Sequence, residues 1–369
     1  MKFALVVPIL LKLFLATDAC TEIRVTAEDK TVVVARSMEF MIDLMSDIIV
    51  EPKGYPHTAE RPKTCSCSSP AMTWNNSYKI AYLNALDSPI AGADGQNDAG
   101  LSVGSLLFPR FSKYQTIPKE KCDSAISNLE FAIWVLGNFG TVEDVRRAWK
   151  KDSFPLVWEL PLKGDSFELH WSITDKSGDG IVIEYTEQGP KLHSNTIGVM
   201  TNSPPYDFHM LNLRNYVHLS KFAHDPLVLG NTTFQPTGQG SGLLGVPGDF
   251  TPPSRLVRSA AILHFADKTN KSDEAVNLAF HILNTVDIPR GVAASHDHPD
   301  MPDYTSWVVV KDLTNKAMYF RNYEDLTVRV IHLDKVTPGK KLKIKVGTPI
   351  GGFVDVTGDL QDAQAHTEL

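Results

Sequence analysis

The chain has little cysteine, four residues in 369, too few for the disulfide-dense scaffolds of small secreted domains. It also has no basic run, and a formal charge of −7 offers nothing to neutralise phosphates, which excludes a nucleic-acid partner. Long apolar segments are missing as well. The one candidate, Phe3 to Leu15, falls short of the ~20 apolar residues that span a bilayer and is broken by Pro8 and Lys12, so a transmembrane anchor is excluded. Long linkers, low-complexity blocks and internal repeats are lacking too, and one continuous domain is expected.

What the amino terminus does carry reads as an address. Lys2 precedes the apolar run, and Thr17 and Ala19 are small residues at the two positions a signal peptidase inspects. Residues 1–19 therefore read as a signal peptide, and removing them takes away Lys2, Lys12 and Asp18 and leaves a charge of −8. A lipid anchor on Cys20 is disfavoured, because Asp18 stands where a lipoprotein signal carries Ala or Ser. N-x-[ST] tripeptides at Asn75, Asn231 and Asn270 lie in polar, loop-like surroundings and are candidate glycan acceptors. The last four residues, His366-Thr367-Glu368-Leu369, resemble a KDEL-type retrieval signal, whose partner would be a retrieval receptor. Together these features lead to the expectation of a glycoprotein of the secretory pathway, in the endoplasmic-reticulum lumen or secreted. Its catalytic domain would cover 20–350, with a tail at 351–369.

The middle of the chain alternates between strand and helix patterns. Ile23 and Val25 alternate with polar residues, Glu28-Asp29-Lys30 turns, and Val32 to Ala35 resumes an apolar strand, a hairpin with Cys20 at its head. Asp123 to Leu136 reads as a helix closed by Gly137-Asn138. Thr141 and Asp144 form a capping box opening a second helix to about Lys150. Phe167 to Thr174 and Ile181 to Tyr185 read as strands, Ser254 to Asp267 and Ser272 to Val286 as helices. Ser306 to Lys311, Ala317 to Asn322 and Thr327 to Leu333 read as a closing meander. This order predicts an α+β layered protein with largely antiparallel sheets.

Several motif matches fail on their surroundings. Gly100-Leu101-Ser102-Val103-Gly104 matches the nucleophile elbow of serine esterases, but polar Asp94 to Asp98 precedes it and Pro109 follows, where a strand and a helix are needed. Gly240-Ser241-Gly242-Leu243-Leu244-Gly245 matches a dinucleotide fingerprint between Pro236 and Pro247, and reads as a loop. His296-Asp297-His298 has no third ligand at a telling spacing, and Cys65-x-Cys67 has no second pair, so no metal is assigned. With Cys20 reserved for chemistry, Cys65, Cys67 and Cys122 allow at most one bridge among themselves.

Cys20 becomes a chemical device if it is the first residue of the mature chain. Its thiolate is a nucleophile, and a free α-amine, with a reference pKa of ~7.7 to 8.0, accepts the thiol proton near neutral pH. Such a site also needs a cation beside the sulfur, a carboxylate or amide to orient the amine, and donors for an oxyanion. Arg36, at the end of the second hairpin strand, and Glu39, in the turn after it, are the nearby candidates.

Five further blocks accompany Cys20-Thr21: Arg36-Ser37-Met38-Glu39; Ala93-Asp94-Gly95 with Asn97 and Gly100-Leu101; Leu169-His170-Trp171; Gly198 to Pro204; and Gly245 to Arg255. In this order and spacing the chain, from Cys20 to about Leu333, resembles the choloylglycine hydrolase family, which includes bile salt hydrolases and penicillin V acylases. The resemblance implies the four-layer αββα sandwich of N-terminal-nucleophile hydrolases, two antiparallel sheets between helices. It also implies hydrolysis of a linear carbon–nitrogen amide bond through an acyl-enzyme, without cofactor. Cys20 takes the nucleophile position, Arg36 the arginine near the thiol, Asn202 an oxyanion donor and Arg255 the arginine completing the charged cluster. Two positions depart from the pattern. Glu39 stands where the family has Asp, and Leu107 where it has Asn or Tyr, although the Leu107 backbone N–H can still serve the oxyanion.

The substrate expected is an amide with an apolar acyl group, an N-acyl amide or N-acyl amino acid resting on Phe40, Met41 and Leu44, with a homo-oligomer allowed. The alternatives are an inactive or weakly active lipid-binding relative and a serine esterase using Ser102.

Overall fold

The computed structural model describes residues 19–62, 67–151, 153–296, 298–336 and 339–347. Residues 1–18 of the expected signal peptide, Cys65, Asp297 and the tail at 351–369 with its retrieval-like end lie outside the described residues. Fourteen strands make the two large sheets. The first seven are β1 (Cys20–Thr26), β2 (Val32–Phe40), β3 (Asp47–Glu51), β4 (Ile80–Ala85), β5 (Ser88–Asn97), β6 (Leu101–Leu107) and β7 (Leu169–Asp175). The others are β8 (Gly180–Thr186), β9 (Gly189–Ser194), β10 (Val199–Met200), β11 (Tyr304–Asp312), β12 (Ala317–Asn322), β13 (Arg329–His332) and β14 (Leu342–Lys345). Helices α1 (Phe131–Asn138), α2 (Val142–Lys150), α3 (Tyr206–Asn212), α4 (Pro252–Phe265) and α5 (Ser272–Asn284) complete the frame.

The first sheet has the order β10-β1-β2-β11-β12-β13, the second β9-β8-β7-β6-β5-β4-β3-β14, and every pairing within them is antiparallel. Alternation along the strands builds the layers, because successive side chains point to opposite faces. Ile23 and Val25 of β1 with Val33 and Ala35 of β2 pack on Leu256, Val276, Ala279 and Ile282 of α4 and α5. Cys20, Met38 and Phe40 turn instead into the core between the sheets. With α1 covering the second sheet, the sequence of layers is the expected αββα sandwich.

The meander, the hairpin and the helices from residues 252 and 272 lie where the patterns put them. The helix expected over Asp123 to Leu136 is shorter: Lys119–Ser124 is a 3₁₀ turn, Ala125–Ser127 is a strand parallel to Leu156–Trp158, and α1 begins only at Phe131. The cause is local. Glu130 turns back to accept hydrogen bonds from Ser127 N at 2.9 Å and Ser127 Oγ at 2.6 Å, which ties up the Ser127 N–H in a local turn and leaves the helix to begin after Glu130. The box at Thr141 does open α2, with Asp144 N donating to Thr141 Oγ1 at 3.1 Å. β2 also outruns its expected end, because β11 pairs along it as far as Tyr304 with Phe40 and Thr305 with Glu39. Glu39 therefore lies in a strand and not in a turn.

One disulfide, Cys67–Cys122, ties the loop before Ser69 to the 3₁₀ turn, while Cys20 is a free, buried thiol. The bridge closes a sequence separation of 55 residues, so replacing both cysteines by serine is expected to lower unfolding stability by about 2 to 4 kcal/mol. A urea titration of the double variant against the parent chain measures this.

Candidate active site

The first hairpin sets the geometry. Its register pairs Cys20 with Met38 and Glu22 with Arg36, so these four side chains share the face turned toward the second sheet. Arg36 Nη2 donates to Cys20 Sγ at 3.2 Å, and Met38 Sδ lies 3.7 Å from the same sulfur. Burial works against the Arg36 charge, yet the Cys20 sulfur and the Asp94 carboxylate hold its pKa above the ordinary arginine value.

The backbone end of Cys20 is held from the other side. β10 pairs with β1 through Met200 and Glu22, which brings the following Asn202 against the strand head. Cys20 N donates to Asn202 Oδ1 at 2.6 Å, and Arg255 Nη2 donates to the same oxygen at 2.9 Å. Arg255, on the first turn of α4, also donates through Nη1 to Cys20 O at 2.5 Å and Thr21 Oγ1 at 2.7 Å. Asn202 Nδ2 donates to Leu107 O at 2.9 Å.

Leu107 pairs with Leu169, while the neighbouring Phe108 N donates to Glu168 O at 2.7 Å. Antiparallel pairs alternate between hydrogen-bonded and non-hydrogen-bonded, so Leu107 belongs to the second kind. Its N–H and C=O both turn away from β7, toward Asn202.

Glu39 occupies the opposite face of β2. Thr305 Oγ1 donates to its Oε1 at 2.9 Å, and burial pushes its carboxyl up to about 7 against the pull of Arg255. The longer arm thus meets Thr305, and the contact to the Cys20 nitrogen comes from the Asn202 amide. The Glu39 backbone N–H donates to Ala19 O at 3.0 Å.

Two cavities flank the strand head. One of about 50 Å³ lies beside the sulfur, lined by Phe40, Leu44, Leu86, Leu107, Leu129 and Phe167. The other, a groove of about 490 Å³, runs past Ala19 and is bordered by Met41, Phe250, Pro252, Val292 and Met301. Of the three candidates for acyl binding, Phe40 and Leu44 line the first and Met41 the second.

The remaining candidates lie apart. Ser102 is buried within β6, and Gly100 to Gly104 enters a strand with no helix behind it, so the elbow is absent. Gly240 to Gly245 is a 3₁₀ turn and loop. Among the described residues no group of three or more metal-ligating side chains forms, and no helix is long and apolar enough to cross a membrane. Asn75, Asn231 and Asn270 are exposed, although Asn75 ends a short strand, Thr73–Asn75, and is not in a loop.

Residues 20–340 match the model of the linear amide C–N hydrolases, choloylglycine hydrolase family. The chain belongs to this family. It is 31% identical over 322 residues to a bile salt hydrolase/transferase of Clostridium perfringens, covering 86% of this chain and 93% of that one. It is 27% identical to a penicillin V acylase of Pectobacterium atrosepticum, covering 82% and 77%. A solved conjugated bile acid hydrolase of Clostridium perfringens superposes with a TM-score of 0.77 at 29% identity, covering 88% and 96%. The family makes this chain a linear amide C–N hydrolase similar to those enzymes.

The same relatives correct the expected address. They are bacterial, and bacteria have no endoplasmic reticulum, so residence there and a retrieval receptor conflict with them; a secreted glycoprotein finds no support among them either.

Sequence reasoning missed the supports of the site. His170 Nε2 sits 3.0 Å from Thr201 O and His209 Nε2 2.8 Å from Asn202 O, so two imidazoles hold successive carbonyls of the segment that carries Asn202. Glu184 faces His170 Nδ1 at 3.2 Å and accepts from Tyr206 N at 2.9 Å. Burial pulls the His209 ring down to about 4 from 6.5, so the folded chain keeps it neutral where the unfolded chain protonates it. Its contribution to stability is full above pH ~6.5 and is lost as pH falls toward 4, because the unfolded state then binds the extra proton. Unfolding free energy is expected to drop by up to about 3 kcal/mol across that window through this ring, and His209→Gln to flatten the slope. Denaturant titrations of both chains at pH 4, 5, 6 and 7 check it; parallel slopes contradict it.

Proposed function

We propose that the chain hydrolyses an N-acyl amide through Cys20 acting as an N-terminal nucleophile, once the bond after Ala19 has been cut. The observation that carries this reading is the convergence at one residue: a guanidinium 3.2 Å from the sulfur and a side-chain amide 2.6 Å from the nitrogen. The freed α-amine takes the thiol proton, and Arg36 stabilises the resulting sulfur anion. Sγ attacks the substrate carbonyl, and the oxyanion is met by the Asn202 amide and the Leu107 N–H. The α-ammonium then gives its proton to the departing nitrogen, the C–N bond breaks, and an acyl-thioester remains. Water, deprotonated by the α-amine, attacks the thioester and releases the carboxylic acid.

Arg255 fixes the Asn202 oxygen and the Cys20 carbonyl together, so nitrogen and oxyanion donor keep one geometry. Glu39 supports the same strand end through its side-chain bond to Thr305, while its backbone N–H, which Ala19 O holds before cleavage, is released when Ala19 leaves. The narrow apolar cavity beside the sulfur favours a slender acyl chain over a broad ring system. The buried hydroxyl of Ser102 inside β6 stands against a serine esterase.

Mass spectrometry of the active protein should find Cys20 as its first residue, and Cys20→Ser should lose amide hydrolysis; a different terminus, or full activity in Cys20→Ser, would overturn the reading. Asn202→Ala is expected to lower kcat by about 10²- to 10³-fold with KM little changed, and a change confined to KM contradicts the oxyanion role. Across a panel of acyl amides, long unbranched acyl groups should give the highest kcat/KM, and cleavage restricted to short or aromatic acyl groups would refute the substrate class.

A further inference from the structure

Behind Arg36 lies a cluster of charged side chains sealed between the sheets. Arg36, Asp94 and Lys311 are fully buried and Glu22 nearly so. Lys311, from β11, places Nζ 2.5 Å from Asp94 Oδ1 and 3.7 Å from Glu22 Oε2. The other oxygen of Asp94, on β5 of the opposite sheet, lies 3.6 Å from Arg36 Nη1. Arg36 Nη1 also donates to Ala93 O, next to Asp94 in the chain, and the guanidinium stands 5.8 Å from the Trp307 ring centre. Gly104 makes this layer fit. A Cβ there would come within 2.4 Å of Glu22 Oε2 and 3.4 Å of Asp94 Oδ2, so only glycine leaves room for the carboxylates.

The arrangement is costly unless something depends on it, because ions removed from water lose several kcal/mol each and recover it only with well-placed partners. We propose that Lys311 is a positioning residue for Cys20: it anchors Asp94, and Asp94 in turn fixes the Arg36 guanidinium against the Cys20 sulfur. Without Lys311, Asp94 is a buried carboxylate whose remaining cation is Arg36, and it draws that cation away from the sulfur. Glu22 closes the cluster from the far side; burial raises its carboxyl, opposed by Lys311, so Glu22 competes weakly with Asp94 for the ammonium. Arg255 and Glu39 face the other side of the first sheet and take no part. The inference rests on the nucleophile reading above.

Alkylation of Cys20 by iodoacetamide, followed from pH 5 to 9 by peptide mass mapping that separates the Cys20 adduct from one on Cys65, on the chain that begins at Cys20, tests it without knowledge of the substrate. Lys311→Met should slow alkylation at pH 7 roughly tenfold and move the rate profile about one pH unit upward. Lys311→Arg should stay close to the parent, while amide hydrolysis by Lys311→Met should lose kcat with KM little changed. Lys311→Gln, which keeps a polar head against Asp94 but no charge, carries the same expectation should the methionine variant not fold. A lower melting temperature with unchanged alkylation in the neutral variants would make Lys311 merely structural and overturn the inference. A parent Cys20 no faster than free cysteine would remove the nucleophile reading and this inference with it, whereas a fast parent with unaltered neutral variants removes this inference alone.

Discussion

The hydrogen bond of 2.6 Å from Cys20 N to Asn202 Oδ1 joins residues 182 positions apart, and the arrangement of the site depends on it. A chain end, which Cys20 becomes on the proposed cleavage, is ordinarily the part of a domain that frays. Here the strand head is enclosed instead: β2 pairs on one side, β10 on the other, and Arg255 grips its first carbonyl from α4. The four layers supply this enclosure, because a strand with a sheet on one face and helices on the other presents its end to both cores. The sulfur turns toward the second sheet, the carbonyl and Thr21 toward α4. Alternation along one strand thus assigns the Cys20 sulfur and its backbone anchor to different layers.

The same alternation separates the charges. Arg36 faces the sulfur and its neighbours from the second sheet, while Glu39, three residues on, faces α4 and Thr305. Arg36 and Arg255 therefore act on Cys20 from opposite faces of one sheet without sharing a carboxylate. The cost of burying them is offset by placing every guanidinium against several acceptors: Ala93 O, Asp94 and the sulfur for Arg36; Phe250 O, Cys20 O, Thr21 and Asn202 for Arg255. Arginine suits this role because its planar fork reaches several acceptors at once and stays charged when buried.

Much of this was legible in the order of residues. Val32 to Ala35 after a charged turn indicates a hairpin, and the hairpin alone is enough to set Arg36 near Cys20. The Thr141 box marks α2 because its signal is local, a side chain and a backbone N–H three residues apart. What escaped depends on partners distant in sequence. Nothing around Arg36 says that the strand continues to Phe40; β11, some 260 residues later, extends it. Glu39 could not be assigned to Thr305 for the same reason, nor Ala125–Ser127 to a strand before its partner at Leu156–Trp158 was known. Lys311 did leave a trace, a lysine that directly follows the apolar run Trp307 to Val310 near the end of β11, since a charge carried into the buried interior by such a strand requires a partner across the layer.

The position of Ala19 links the form of the chain before cleavage to the form proposed to act. Its carbonyl accepts from Glu39 N, and it lies along the wider groove, whereas the sulfur lies along the narrow apolar cavity. Cys20 itself lines the narrow cavity, and the wider groove reaches Ala19, the residue bonded to the Cys20 nitrogen. On the proposed mechanism the acyl half of a substrate must lie by the sulfur and the departing amine by the nitrogen, because each bonds or exchanges a proton with that atom. Residues before Cys20 and the amine half of a substrate then need the same groove. Removal of the leader would accordingly supply two things in one event, the basic nitrogen and the space in which the leaving group is held.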